Sequence, residues 1–73
     1  MTLNKDQAKH DNEQLYNDAI QDEIRTILSQ DGPLQCGQIA RRLGKSPHET
    51  RWHLEQMDSR GEVNYNWIRG YSV

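Results

Sequence analysis

Residues 46–61, which read SPHETRWHLEQMDSRG, carry the clearest structural signal in the sequence. Ser46 is a strong helix N-cap, and Pro47 suits the first helical position. Glu49 follows the cap by three residues, which completes a capping-box pattern. Gly61 is typical of the residue that closes a helix. This stretch therefore predicts one capped helix with defined ends.

The predicted helix, from residue 47 to about 60, has two unlike faces. At about 100° per residue, one side carries Pro47, Thr50, Leu54 and Met57 and is the expected buried face. The other side is expected to face solvent, and it carries His48, Arg51, Trp52, Glu55 and Ser59. His53 lies on the flank of the buried side, where we expect partial burial.

Two helices are predicted before this one. In the first, from about residue 12 to 30, apolar residues recur at helical spacing: Tyr16, Ile20, Ile24, Ile27 and Leu28. A two-turn helix over residues 37–43 is predicted by Ile39, Ala40 and Leu43, and Gly44 ends it. Residues 1–11 are polar and predict a flexible N-terminal arm, which leaves residues 12–73 as the domain.

The end of the sequence predicts a small β-hairpin. Val63, Tyr65 and Trp67 alternate with polar residues, which is typical of a strand. A turn over residues 68–71 follows, and the last residues can pair back. Arg69 is then at the tip of the hairpin.

The order of helix, short extended segment, helix, tight turn, capped helix and hairpin resembles the winged helix-turn-helix superfamily. Over residues 34–63 the positions that match its packing and capping pattern are Ile39, Ala40, Leu43, Gly44, Ser46, Thr50, His53, Leu54, Met57, Gly61 and Val63. The chain is similar to small bacterial regulators of the arsenical-repressor, multiple-antibiotic-resistance and fimbrial-operon types. The resemblance implies a mainly α fold, a three-helix winged helix-turn-helix with a small β-hairpin.

The resemblance also implies double-stranded DNA binding by a small bacterial or phage-type transcriptional regulator. In this superfamily the second helix of the pair enters the major groove, and its outward side chains meet base edges. The side chains that it assigns to DNA contact are Arg41, Arg42, Lys45, Ser46, His48, Arg51, Trp52 and Arg69. A single unit of this size gives modest affinity, so we expect a homodimer through helix 1, near Leu15, or a partner protein.

A second hypothesis is a protein-interaction adaptor that does not bind DNA. Glu49 and Glu55 put negative charge on or beside the outward face, and an outward Trp52 is typical of a protein contact. Three partners stay open for Trp52: nucleic acid, a protein surface, and the N-terminal arm folded over it.

Composition narrows the function further. With 73 residues the chain is far too short for a β/α barrel, which needs about 250. No apolar run approaches the roughly 18 residues of a membrane span, and no signal peptide is recognisable, so no membrane partner is expected. One cysteine, Cys36, indicates a reducing compartment and a cytoplasmic location.

No catalytic or metal-binding motif stands out, so neither an enzyme nor a cofactor is expected. The formal net charge is −2. Residues 34–60, however, carry five basic and three acidic side chains, which leaves a local excess of positive charge.

Overall fold

A computed structural model describes the backbone of residues 5–73 and the side chains of residues 16–73. It contains three helices, α1 (Lys5–Asp31), α2 (Cys36–Leu43) and α3 (Pro47–Ser59), followed by strands β1 (Asn64–Asn66) and β2 (Gly70–Ser72). The two strands form an antiparallel hairpin. The predicted fold class, mainly helical with a small hairpin in the winged helix-turn-helix order, is confirmed.

Helix α1 begins at Lys5 rather than near residue 12. Residues 5–11, which the sequence assigned to a flexible arm, are therefore helical, and residues 1–4 lie outside the described part. Residues 5–10 contain no glycine or proline, so a helix formed downstream extends through them at little cost. The side chain of Leu15, the predicted self-contact, also lies outside the described residues.

The core lies where the three helices meet. Its buried apolar side chains are Ile20, Ile24, Leu28, Leu34, Ile39, Leu54, Met57 and Val63. On α3, Thr50, Leu54 and Met57 are completely buried, as their spacing predicted. Each fully buried aliphatic side chain contributes about 1.5–3 kcal/mol relative to exposure, which fixes the rotation of α3 about its axis.

The turn between α2 and α3 is short and hydrogen-bonded. Gly44 takes the left-handed conformation that ends α2, and its amide donates to the Ala40 carbonyl. Ser46 then caps α3, because its Oγ accepts from the Glu49 backbone amide at 3.1 Å. The two helices are thus joined by a tight turn, as in a helix-turn-helix unit.

The hairpin is attached to the helices through Leu34. The Leu34 amide donates to the Tyr71 carbonyl at 3.0 Å, and the Tyr71 amide donates to the Leu34 carbonyl at 2.7 Å. The loop of the hairpin is residues 67–69 rather than the predicted 68–71. Asn66 starts the loop one residue early because its side-chain oxygen accepts from the Ile68 and Arg69 amides. Arg69 is at the tip, as predicted.

A glycine is required where Leu34 meets the hairpin. Gly70 has a φ of 101°, and a Cβ at this position would lie 2.3 Å from the Leu34 carbonyl oxygen. We expect Gly70→Ala to lower the free energy of unfolding by more than about 2 kcal/mol, measured by urea denaturation, because strain and a backbone clash add.

Gly37→Ala is the matched control. A Cβ on Gly37 meets nothing within 4 Å, and the residue lies in α2, so we expect this variant to gain up to about 1 kcal/mol. Equal stability of Gly70→Ala and the unaltered chain would contradict the close approach of Leu34.

Candidate nucleic-acid interface

The outward side of α3 is the surface on which sequence and structure agree best. The residues predicted to face solvent, His48, Arg51, Trp52, Glu55 and Ser59, are all exposed. We call the first four of them the α3 face. Pro47, on the predicted buried side, is exposed because it lies at the start of the helix, but Thr50, Leu54 and Met57 on that side are completely buried and hold the backbone under these side chains in place.

Two open depressions run along the α3 face. The first, of about 340 Å³, lies between the beginnings of α2 and α3 and is lined by Cys36, Gly37, Pro47, His48 and Arg51. The second, of about 240 Å³, is lined by the whole α3 face. Since His48 and Arg51 line both, the concave surface is continuous, and the structure brings these two residues together with Trp52.

Arg51 differs from most cations of the chain in having no ion-pair partner within residues 16–73. Only Arg41 and Arg69 share this property in that part of the chain. An arginine without a carboxylate partner keeps its whole donor fork for a ligand, and that fork matches planar acceptor pairs such as the edge of guanine.

Lys45, in contrast, is already occupied by protein groups. Its Nζ donates to the Tyr16 hydroxyl at 2.8 Å and lies 3.6 Å from a Glu49 carboxylate oxygen. The hydrogen bond with Tyr16 is the main reason that the pKa of Lys45 is raised. The sequence placed Tyr16 in the apolar stripe of helix 1, but its ring is 52% exposed and lies beside this ammonium group.

The other assigned residues are dispersed. Arg42 pairs with Asp31, and the Ser46 hydroxyl oxygen is used in capping α3. Arg41 is exposed on α2 but lines neither depression. Arg69 lines a separate depression of about 390 Å³ on the hairpin. The structure therefore groups three of the eight assigned residues and leaves five elsewhere.

Trp52 is 47% exposed, and its ring meets the edge of the His53 ring at a centroid distance of 5.0 Å. One part of the indole is therefore packed, and the rest is open to a partner. Cover by the N-terminal arm, residues 1–11, lies outside the residues whose side chains the structure describes.

His53 anchors α3 to α1 through a polar contact that the sequence did not predict. It is buried rather than partly buried, and its Nδ1 lies 3.3 Å from the side-chain nitrogen of the buried Gln21. Arg60 donates to the Gln21 side-chain oxygen, and Glu62 in turn accepts from Arg60. The sequence gave no indication of this role for Gln21, which simply follows Ile20 of the apolar stripe of helix 1.

This chain of hydrogen bonds fixes the protonation of His53. Because the Gln21 oxygen accepts from Arg60, its NH₂ group must donate to His53 Nδ1, which must then be unprotonated. Burial lowers the pKa of His53 in the same sense. The nearby charges of Glu49 and Lys45 act in opposite directions on it.

Cys36 packs against the core, and its Sγ lies 3.5 Å from the Pro47 carbonyl oxygen. Among the side chains that the structure describes, no three His, Cys, Asp or Glu residues converge as metal ligands would. No helix in the described part of the chain has an apolar stretch long enough to cross a membrane.

No protein-family model, curated protein or solved structure matches this chain. The layout of helices and hairpin is therefore known from the structure alone. Membership of the winged helix-turn-helix superfamily stays a prediction from the sequence.

The His53 contact predicts how stability depends on pH. In the unfolded chain His53 binds a proton near pH 6.5, whereas in the folded chain it does so only at lower pH. The contribution of His53 to the free energy of unfolding is therefore fully present above pH 6.5 and decreases as the pH falls below that value. The slope is at most about 1.4 kcal/mol per pH unit. Glu62, whose pKa is lowered by Arg25 and Arg60, loses its contribution only below 4.5.

Urea denaturation between about pH 5 and 7, followed by circular dichroism, measures this slope. His53→Gln should abolish it, whereas His48→Gln, a change on the exposed side of the same helix, should keep it. An unchanged slope in His53→Gln would show that other groups cause the dependence.

Proposed function

We propose that the protein binds double-stranded DNA sequence-specifically as a small cytoplasmic transcriptional regulator of winged helix-turn-helix type. The observation that carries the proposal is Arg51, which is exposed on the concave α3 face and has no ion-pair partner within residues 16–73, while Thr50, Leu54 and Met57 on the other side of the helix lie in the core. In this proposal α3 enters the major groove, α2 lies over the backbone, and the hairpin touches the backbone or the minor groove.

The dimensions of α3 suit this role. Its 13 residues span about 20 Å, and a major groove about 12 Å wide admits one α-helix. Arg51 lies in the second turn, and the N-terminal part of a recognition helix is the part that reads bases. A guanidinium that forks onto guanine O6 and N7 gives about 1–3 kcal/mol of discrimination against other bases.

The charge distribution sets the strength of binding. Within residues 16–73 the cations without an ion pair are Arg41, Arg51 and Arg69, since Arg42 and Lys45 have protein partners. If Arg41 and Arg69 contact phosphates while Arg51 reads a base, the slope of log K against log salt is only about −1.8. Binding by one copy is therefore weak, and a homodimer or a partner protein belongs to the proposal.

Two substitutions of Arg51 separate its charge from its shape. Arg51→Ala should weaken binding to the preferred duplex by about tenfold to a hundredfold, measured by fluorescence anisotropy at low salt. Arg51→Lys keeps the charge but not the fork, so it should bind all sequences with similar affinity and keep the salt slope. Unaltered affinity and sequence preference in both variants would defeat the proposal.

A second candidate function, a winged-helix adaptor that binds a protein, is favoured by Trp52 alone. Nearly half of its indole is exposed in the middle of the α3 face, next to Glu55. Glu49, which the sequence also assigned to this contact, is paired with Lys45 and contributes less free charge.

Glu55→Gln distinguishes the two candidates. If the α3 face meets phosphates, removing this carboxylate beside Arg51 should tighten duplex binding several-fold, because like-charge repulsion disappears. Glu23→Gln makes the same charge change on the exposed side of α1 and should have little effect. For an adaptor, the unaltered chain shows no duplex binding at low salt, and Trp52→Ala abolishes binding to its protein partner.

A further inference from the structure

The tip of the hairpin carries the two most exposed large apolar side chains among the described residues. Trp67 is 78% exposed and Ile68 is 65% exposed, and Arg69 follows them without an ion-pair partner within residues 16–73. We call these three residues the wing tip. Large exposed apolar side chains are unfavourable in water, so their grouping beside a free cation indicates a contact surface.

The wing tip is held rigidly although it is exposed. The Asn66 side-chain oxygen accepts from the Ile68 and Arg69 amides at 2.9 and 3.0 Å. Gln35 donates from its side chain to the Ile68 carbonyl at 2.8 Å. Three hydrogen bonds thus fix the loop backbone, which lowers the entropy that Trp67 loses when it binds a partner.

The wing tip is connected to the α3 face through the start of α2. Gln35, which donates to the Ile68 carbonyl, directly precedes Cys36 and Gly37, and these two residues line the same depression as His48 and Arg51. The start of α2 therefore separates the depression on the α3 face from the wing tip, and both surfaces border it.

Charge favours a nucleic acid as that ligand. Residues 63–73 contain no aspartate or glutamate and one arginine, in a chain with a net charge of −2. The depression beside the tip is lined by Asn64, Asn66 and Arg69 among others and by no carboxylate. An apolar tip flanked by amides and a cation complements stacked bases and phosphates better than it complements a basic protein.

We propose that Trp67 and Ile68 insert between base pairs in the minor groove next to the major-groove site of α3 and bend the duplex. Apolar side chains in the minor groove partly unstack a base step and kink DNA toward the major groove, and an arginine stabilises the narrow groove beside them. This inference rests on the proposed function, and it adds a binding site and a DNA distortion that Arg51 alone does not imply.

The test is resonance energy transfer between dyes at the two ends of a duplex of about 30 base pairs that contains TA steps, which kink easily. The full-length chain should raise the transfer on binding. Trp67→Ala and Ile68→Ser should each abolish the rise and weaken binding about tenfold, as loss of stacking on bases does. Val73→Ser, which removes a half-exposed aliphatic group outside the tip, should do neither.

A second measurement does not depend on variants of the tip. In Trp52→Phe, Trp67 is the single tryptophan, and duplex binding should quench its emission and shield it from acrylamide. Unshielded emission in the bound state would overturn the inference.

The remaining outcomes are distinguishable. Binding that depends on Arg51 but is the same in the tip variants and Val73→Ser overturns the wing-tip inference and leaves the proposed function standing. Tip variants that change only the oligomeric state in sedimentation overturn it in favour of a self-contact. A chain that binds no duplex at any salt concentration overturns both.

Discussion

The burial of one side of α3 is the constraint on which the rest of the structure depends. Thr50, Leu54 and Met57 are enclosed by α1 and α2, so any rotation of α3 that exposed them would carry Arg51 toward the core. An arginine buried in an apolar core without a carboxylate partner costs several kcal/mol. The outward position of Arg51 thus follows from the packing beneath it. The same packing holds the backbone of the α3 face in place.

A polar contact adds direction to this packing. Apolar contacts alone would allow α1 and α3 to shift slightly along each other. The hydrogen bonds from Arg60 to Gln21 and from Gln21 to His53 require a defined geometry and therefore fix the relative position of the two helices. Thr50 shows the opposite case, since its buried hydroxyl has no hydrogen-bond partner among the described residues. Leaving that hydroxyl without a hydrogen bond costs about 1–3 kcal/mol.

Local chemistry made α3 predictable from the sequence, and tertiary contacts made other parts unpredictable. Ser46, Pro47 and the apolar spacing act within a few residues, so they set the ends of α3 and its exposed face without help from the rest of the chain. The predicted start of α1 was wrong because residues 5–11, although polar, also favour helix. The pairing of Lys45 with Tyr16, 29 residues away, and of His53 with Gln21, 32 residues away, leaves no periodic trace in the sequence. The sequence therefore correctly grouped the predicted site residues on α3. It could not show which cations outside α3 are free to bind a ligand, because that depends on their ion-pair partners.

The pattern of paired and free cations determines what kind of recognition this chain can perform. With Arg42, Lys45, Arg25 and Arg60 paired with carboxylates, general attraction to a polyanion is small, and the net charge of −2 opposes it. In the proposed function, affinity must then come from short-range contacts, in which Arg51 meets a base edge and the wing tip meets a distorted groove. Such contacts depend strongly on sequence and on how easily the duplex bends, whereas phosphate contacts do not. A protein of this charge pattern that binds DNA at all is therefore expected to discriminate strongly between sites, and to gain its affinity from a second copy or a partner rather than from more positive charge.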